Sequence, residues 1–93
     1  MQTIWKFPFE INDEITLTMP EGARVLAAQM QGSTPCLWAL VDPDAPTERR
    51  RFRLFGTGHP VSEGLGDFIG TFQMMGGGLI WHLFDATPRE VKA

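Results

Sequence analysis

Apolar and polar residues alternate with a period of two along much of the chain, which is typical of strands that bury one face. The clearest case is Ile15–Met19, where apolar residues alternate with two threonines. Segment 5–9 alternates in the same way, and Pro8 inside it indicates an edge strand or a bulge. By contrast, Cys36–Val41 is continuously apolar, which predicts a strand buried on both faces.

Turn-forming residues separate these segments and keep every element short. The chain contains 10 glycines and 7 prolines, and the longest stretch free of both is the eleven-residue segment Phe9–Met19. A coiled coil, a helical bundle and a membrane span of about 20 apolar residues are therefore disfavoured. We expect a soluble protein built from short strands, with no membrane partner.

The remaining segments extend the strand pattern. Ala23–Gln31 has a helix-favouring composition, but it lies between two glycine-containing turns and beside predicted strands. We interpret it as a strand and leave a helix as the open alternative. Glu48–Phe55 is a further strand, and Asp67–Met75 and Leu79–Phe84 flank three glycines that predict a hairpin.

Six or seven short strands predict an all-β fold, a small antiparallel β-sandwich or barrel. The 93 residues allow one domain, which we place at 1–93. The segment Gly32–Pro35 is predicted to be a hairpin loop, and the tail Thr87–Ala93 is predicted to fray. Turn signals do not fix which distant strands pair, so the strand order stays open.

Charge and cysteine content narrow the classes of partner. The net charge is −3, divided into −5 for residues 1–48 and +2 for residues 49–93. An acidic chain argues against binding to duplex nucleic acid, which needs a broad basic face. The single cysteine, Cys36, excludes an intrachain disulfide and fits a reducing compartment, and the N-terminus lacks the pattern of a signal peptide. We therefore expect a cytoplasmic protein, with Cys36 in the core.

Four arginines lie between positions 49 and 53. On a strand, Arg49, Arg51 and Arg53 share one face, with neighbouring side chains about 7 Å apart. Three such cations repel one another unless an anion lies on them, either a phosphate-bearing ligand or nearby carboxylates. Solvated charge that protects an edge strand from aggregation is the alternative interpretation.

The segment Gly56–Pro60 (Gly-Thr-Gly-His-Pro) follows this strand directly. Its two glycines could expose backbone N–H groups to a phosphate, as in an anion-binding nest. The segment matches neither a P-loop nor a dinucleotide fingerprint, and a tight turn explains the glycines equally well.

Metal and nucleophile motifs are missing. The two histidines, His59 and His82, and Cys36 have no metal-ligand spacing, so no metal or cofactor is expected. No serine or cysteine lies in a nucleophile motif. We expect no enzyme, with a small phosphodiesterase or other hydrolase as a less favoured option. His82 lies in an apolar run, where a hydrogen bond to backbone is the simplest expectation, and the tryptophans are expected in the core.

The chain resembles a family of short, uncharacterised proteins of about this length that are encoded by bacteriophages, prophages and environmental bacteria. The residues that carry the resemblance are Met19–Ala23, Pro35–Asp42, Arg51–Arg53, Gly56–His59, Gly70–Gln73 and Trp81–Phe84. The resemblance implies a phage or mobile-element origin and a setting in the host cytoplasm. It implies no catalytic residues, because no activity is established for that family.

The first functional hypothesis is a non-enzymatic binding module, a homo-oligomer that sequesters a nucleotide-like signalling molecule of a bacterial defence system. Such an anti-defence sponge would act by mass action. The predicted ligand-binding residues are Arg51 and Arg53 for phosphate, Thr57, Gly58 and His59 for backbone contacts, Trp38 or Trp81 for stacking, and Gln73 or His82 for polar edges.

The second hypothesis is a protein–protein interaction or assembly module, for example a virion accessory piece or an inhibitor of a host enzyme. Exposed aromatic residues and edge strands would then form its working surface.

Overall fold

A computed structural model describes residues 1–88, and within them the chain forms seven strands and one short 3₁₀ turn. The strands are β1 (Thr3–Pro8), β2 (Glu14–Pro20), β3 (Arg24–Gln31), β4 (Thr34–Val41), β5 (Thr47–Gly56), β6 (Phe68–Met74) and β7 (Leu79–Asp85), with the turn at Met75–Gly77. The predicted all-β class and strand number are confirmed. Among the described residues, no helix is long and apolar enough to cross a membrane.

The strands form two antiparallel sheets, which makes the fold a sandwich. The first sheet has the order β1-β4-β3 and the second has the order β2-β5-β7-β6. Buried side chains from both sheets form one cluster. Its members are Phe9, Ile15, Met19, Ala23, Ala28, Leu37, Ala39, Val41, Phe52, Leu54, Phe72 and Leu83. This shared core stabilises the packing of one sheet on the other.

Strand β4 is the central strand of the first sheet, but only one of its faces is fully buried. Leu37, Ala39 and Val41 have no exposed surface and face the core. Trp38 and Leu40 point to the other side and are half-buried. The expectation of a strand buried on both faces is therefore met on the inner face alone, because the outer face of this sheet is only partly covered.

The hairpin between β3 and β4 is tighter than expected. Its loop is only Gly32 and Ser33, whereas Thr34 and Pro35 already belong to β4. Gly32 has φ +60°, the left-handed conformation that a two-residue hairpin loop requires. The prediction that Pro8 marks an edge strand or a bulge is confirmed, since Pro8 lies in β1 at the edge of its sheet.

Three further expectations concern segment 23–31, the position of Trp5 and the C-terminal tail. The segment 23–31 is a strand, β3, with a bulge at Leu26. Trp5 lies on an edge strand and is 40% exposed, so it is not a core residue. Thr87 does not fray, because its hydroxyl donates to the Arg51 carbonyl and accepts from the Arg51 backbone N–H. Of the predicted frayed tail, residues 89–93 lie outside the described residues.

Candidate ligand-binding site

The pairing of β5 with β2 separates the arginines onto two faces. Arg49, Arg51 and Arg53 lie opposite Thr18, Thr16 and Glu14 respectively. All three face outward from the four-stranded sheet, as the alternation predicted, whereas Arg50 lies on the inner side with the core residue Phe52.

Arg51 and Arg53 line one pocket on this outer side. The pocket has a volume of about 450 Å³ and lies between strands β2 and β5 and the loop that joins β5 to β6. Its polar lining comes from Glu14, Thr16, Arg51, Arg53, Ser62, Glu63 and Gly64. Arg49, on the same strand and face, is not part of the lining.

The two arginines of the pocket keep most of their hydrogen-bond donors unused. Within residues 1–88, the Arg51 guanidinium has no ion-pair or hydrogen-bond partner. Arg53 has one ion pair, 3.5 Å between its Nη1 and Oε1 of Glu14, and it lies 5.5 Å from the ring centroid of Phe55. Its Nε is buried with no partner among the described residues. An acceptor group on a ligand could therefore bind both guanidinium groups.

The His82 ring forms hydrogen bonds with two threonine hydroxyls rather than with backbone groups. The Thr57 hydroxyl lies 2.8 Å from Nε2 and the Thr71 hydroxyl lies 2.8 Å from Nδ1. Thr71 pairs with His82 across β6 and β7, and Thr57 follows β5. Each ring nitrogen of His82 therefore has a hydroxyl that can either donate to it or accept from it. The expectation of a backbone partner for His82 is wrong, because neighbouring strands place hydroxyls on both sides of the ring.

The turn after β5 uses backbone N–H groups within the fold. The Thr57 N–H donates to the Ile80 carbonyl over 3.3 Å, and the His59 N–H donates to the Gly56 carbonyl over 3.1 Å. Gly58, at φ +86°, provides the left-handed residue of the turn. These two N–H groups are thus already hydrogen-bonded within the fold and are not free for a ligand.

The nine predicted ligand-binding residues do not converge on one site. Arg51 and Arg53 share the 450 Å³ pocket. Thr57, His59 and Trp81 line a separate pocket of about 210 Å³. Gly58 lies in the turn after β5, and His82 is hydrogen-bonded to Thr57. Gln73 lies on the outer side of β6, and Trp38 lies on the outer side of the other sheet.

Sequence reasoning missed a partly buried network around Arg50. The Arg50 guanidinium donates to the Ala23 carbonyl and to Oδ2 of Asp85, each over 2.9 Å, and its Nε donates to the Thr87 hydroxyl over 3.3 Å. A second carboxylate, that of Glu48, lies 3.7 Å from Nη1, and only 13% of the Arg50 side chain is exposed. The alternation along β5 could have identified Arg50 as inward-facing, but its three hydrogen-bond partners are 27 to 37 positions away in sequence.

The environment of Asp85 determines the charge of this network. Burial raises the pKa of the Asp85 carboxyl, but hydrogen bonds from the Thr87 backbone N–H and from Arg50 outweigh it and hold the pKa below its usual range. Asp85 therefore stays ionised at neutral pH and pairs with Arg50.

This shift predicts a loss of stability in acid. Because the carboxyl pKa is lower in the folded state, the stabilisation is complete above the unfolded pKa of about 3.9 and is lost as the pH falls through the folded value. We expect the free energy of unfolding to fall further between pH 5 and pH 3 in the natural chain than in Asp85→Asn. Urea denaturation at both pH values measures this difference, and an equal fall in both proteins would contradict it.

Among the described residues, no group of three His, Cys, Asp or Glu side chains is placed to hold a metal ion. A family model described as a domain of unknown function, DUF7352, matches residues 1–93. No curated protein and no solved structure matches the chain.

Proposed function

The chain belongs to the DUF7352 family, and we propose that it is a non-enzymatic binding module for a phosphate-bearing, nucleotide-like small molecule. The observation that carries the proposal is the pocket in which Arg51 has no partner and Arg53 has a single ion pair at 3.5 Å, among residues 1–88. The ligand's phosphate binds these two guanidinium groups.

The pocket has the chemistry of a phosphate site. Arginine presents a planar set of N–H donors that matches phosphate oxygens in pairs. The hydroxyls of Thr16 and Ser62 line the same pocket and can donate further hydrogen bonds. Within residues 1–88, neither hydroxyl has a histidine partner, because His82 is hydrogen-bonded to Thr57 and Thr71 and His59 lines a different pocket. The arrangement therefore favours binding over nucleophilic chemistry.

Binding without turnover suits sequestration. In this proposal the protein lowers the free concentration of a signalling nucleotide by mass action, in the cytoplasm of a bacterial host, as part of a phage or mobile-element response to host defence. The resemblance to phage-encoded proteins supports this setting. A homo-oligomer would present several copies of the pocket.

Removing either pocket arginine is expected to weaken nucleotide binding by about tenfold or more, since a hydrogen-bonded charge pair contributes roughly 1.5–3 kcal/mol. Isothermal titration calorimetry of Arg51→Ala and Arg53→Ala with nucleoside 5′-monophosphates measures the effect. Arg49→Ala is the matched control, because Arg49 shares the strand and face but lies outside the pocket. Unchanged affinity in both pocket variants, or no binding by the natural chain, would overturn the proposal.

The outer face of the three-stranded sheet favours protein–protein interaction as the second candidate. Ile4 is 57% exposed and Leu26 is 44% exposed, and Trp38 and Leu40 are half-buried beside them. The face measures about 14 by 26 Å, which is roughly half of the area per partner in a standard interface. A second copy of the chain stacked there would therefore form a weak dimer that dissociates on dilution. Native mass spectrometry separates the candidates, because a bound nucleotide supports the first, whereas a dimer that takes up no added nucleotide supports the second.

A further inference from the structure

We infer that the Arg51–Arg53 pocket selects a guanine nucleotide, with the carboxylate of Glu63 reading the base. This inference rests on the proposed function and names the ligand of the same pocket. It starts from the charge of the pocket, whose lining contains two glutamates, Glu14 and Glu63, as well as the two arginines. A ligand that presented only acceptor groups, with no N–H or O–H donor for a carboxylate, would be repelled by both glutamates.

The two glutamates have different partners. Oε1 of Glu14 lies 3.5 Å from Nη1 of Arg53, so this carboxylate is paired. Glu63 has no hydrogen bond or ion pair within residues 1–88. It lies in the loop between β5 and β6, whose residues 62–65 line the pocket together with residues of β2 and β5. Glu63 is therefore the carboxylate that is free to bind a ligand.

An ionised carboxylate accepts hydrogen bonds and donates none. It binds best to two adjacent N–H groups, which match its two oxygens in parallel. Among the common nucleobases, guanine presents such a pair on its Watson–Crick edge, the N1–H and the N2 amino group. Adenine and cytosine place an acceptor nitrogen beside their amino group, and uracil places its N–H between two carbonyl oxygens.

A guanine nucleotide thus satisfies both halves of the pocket. Its phosphate binds Arg51 and Arg53, and its base donates to Glu63. The pocket volume of about 450 Å³ lies within the range of small-molecule sites.

Calorimetry with guanosine and adenosine 5′-monophosphates tests this assignment. We expect the natural chain to bind the guanine nucleotide about tenfold more tightly. Glu63→Gln should reduce this preference to less than about threefold, and affinity for ribose 5-phosphate, which lacks a base, should not fall. Glu10→Gln is the matched control, since it makes the same change in charge at an exposed residue outside the pocket. It should keep the tenfold preference.

Each other outcome has a distinct meaning. If the natural chain binds the two nucleotides equally and Arg53→Ala binds neither, the guanine inference is overturned and the phosphate site is supported. A guanine preference that survives Glu63→Gln would overturn the role of Glu63. Failure of the natural chain to bind either nucleotide or ribose 5-phosphate would overturn both the inference and the proposed function.

Discussion

Arg50→Met is expected to lower the free energy of unfolding by about 2 kcal/mol, because it removes partly buried hydrogen bonds from a charged donor and leaves the Asp85 carboxylate without its cation. Arg50 connects Ala23, Asp85 and Thr87 through one guanidinium group, and its side chain is only 13% exposed. Without it, the Asp85 carboxylate keeps its hydrogen bond from Thr87 but loses its cation. Methionine fills much of the same volume, so the expected loss is chiefly electrostatic.

Chemical denaturation measures this loss, and Arg49→Met is its control. Arg49 is the preceding residue of the same strand, is exposed and has no ion-pair partner within residues 1–88, so its replacement should change stability by less than about 0.5 kcal/mol. In a double-mutant cycle with Asp85→Asn, the two losses should be strongly non-additive. Equal stability of the Arg50 and Arg49 variants would show that the network does not stabilise the fold.

Gly66→Ala is expected to cost about 2 kcal/mol and to weaken binding in the neighbouring pocket. The Gly66 N–H donates to the Asp85 carbonyl over 2.7 Å, and a Cβ at position 66 would lie 2.9 Å from that same oxygen. The backbone must shift to relieve this contact, which has the cost of overpacking. Gly66 also lies near the end of the loop whose residues Ser62 and Gly64 line the Arg51–Arg53 pocket. A displaced loop would therefore separate these residues from Arg51 and Arg53.

Thermal unfolding of Gly66→Ala measures the loss of stability, and nucleotide titration measures the loss of affinity. Val61→Ala is a suitable control, because Val61 lies in the same loop, is 53% exposed and is outside the pocket. Natural stability together with natural affinity in Gly66→Ala would show that the loop tolerates the displacement. Reduced stability with natural affinity would show that this end of the loop does not position the pocket.

The alternation along β5 predicted part of the candidate site but not all of it. It placed Arg51 and Arg53 on one face, and their shared pocket agrees with that placement. It could not find Ser62 or Gly64, because an irregular loop has no periodicity from which its path over a sheet can be read. The same limit applies to Thr71, which reaches His82 only through the pairing of β6 with β7.

The sequence could not show which aromatic and glycine-turn residues lie near the arginines, and the predicted grouping does not hold in the structure. Trp38 was a candidate for stacking, but its strand belongs to the other sheet. The residues Thr57 and His59 follow Arg53 closely in the chain, yet they line a different pocket. An extended strand carries the chain about 3.3 Å per residue, so a few residues suffice to separate two sites on one strand.

By itself, the sequence determined the all-β class, the approximate position of most strands and, where the alternation is regular as in β5, the face on which each side chain lies. These features depend on local alternation and on the conformational preferences of glycine and proline, which act over a few residues. Only the tertiary structure decided the strand order, the pairing of Arg50 with Asp85 and the loop wall that closes the pocket over Arg51 and Arg53. Those contacts join residues far apart in the chain, and they form because packing two sheets around one core brings these residues together.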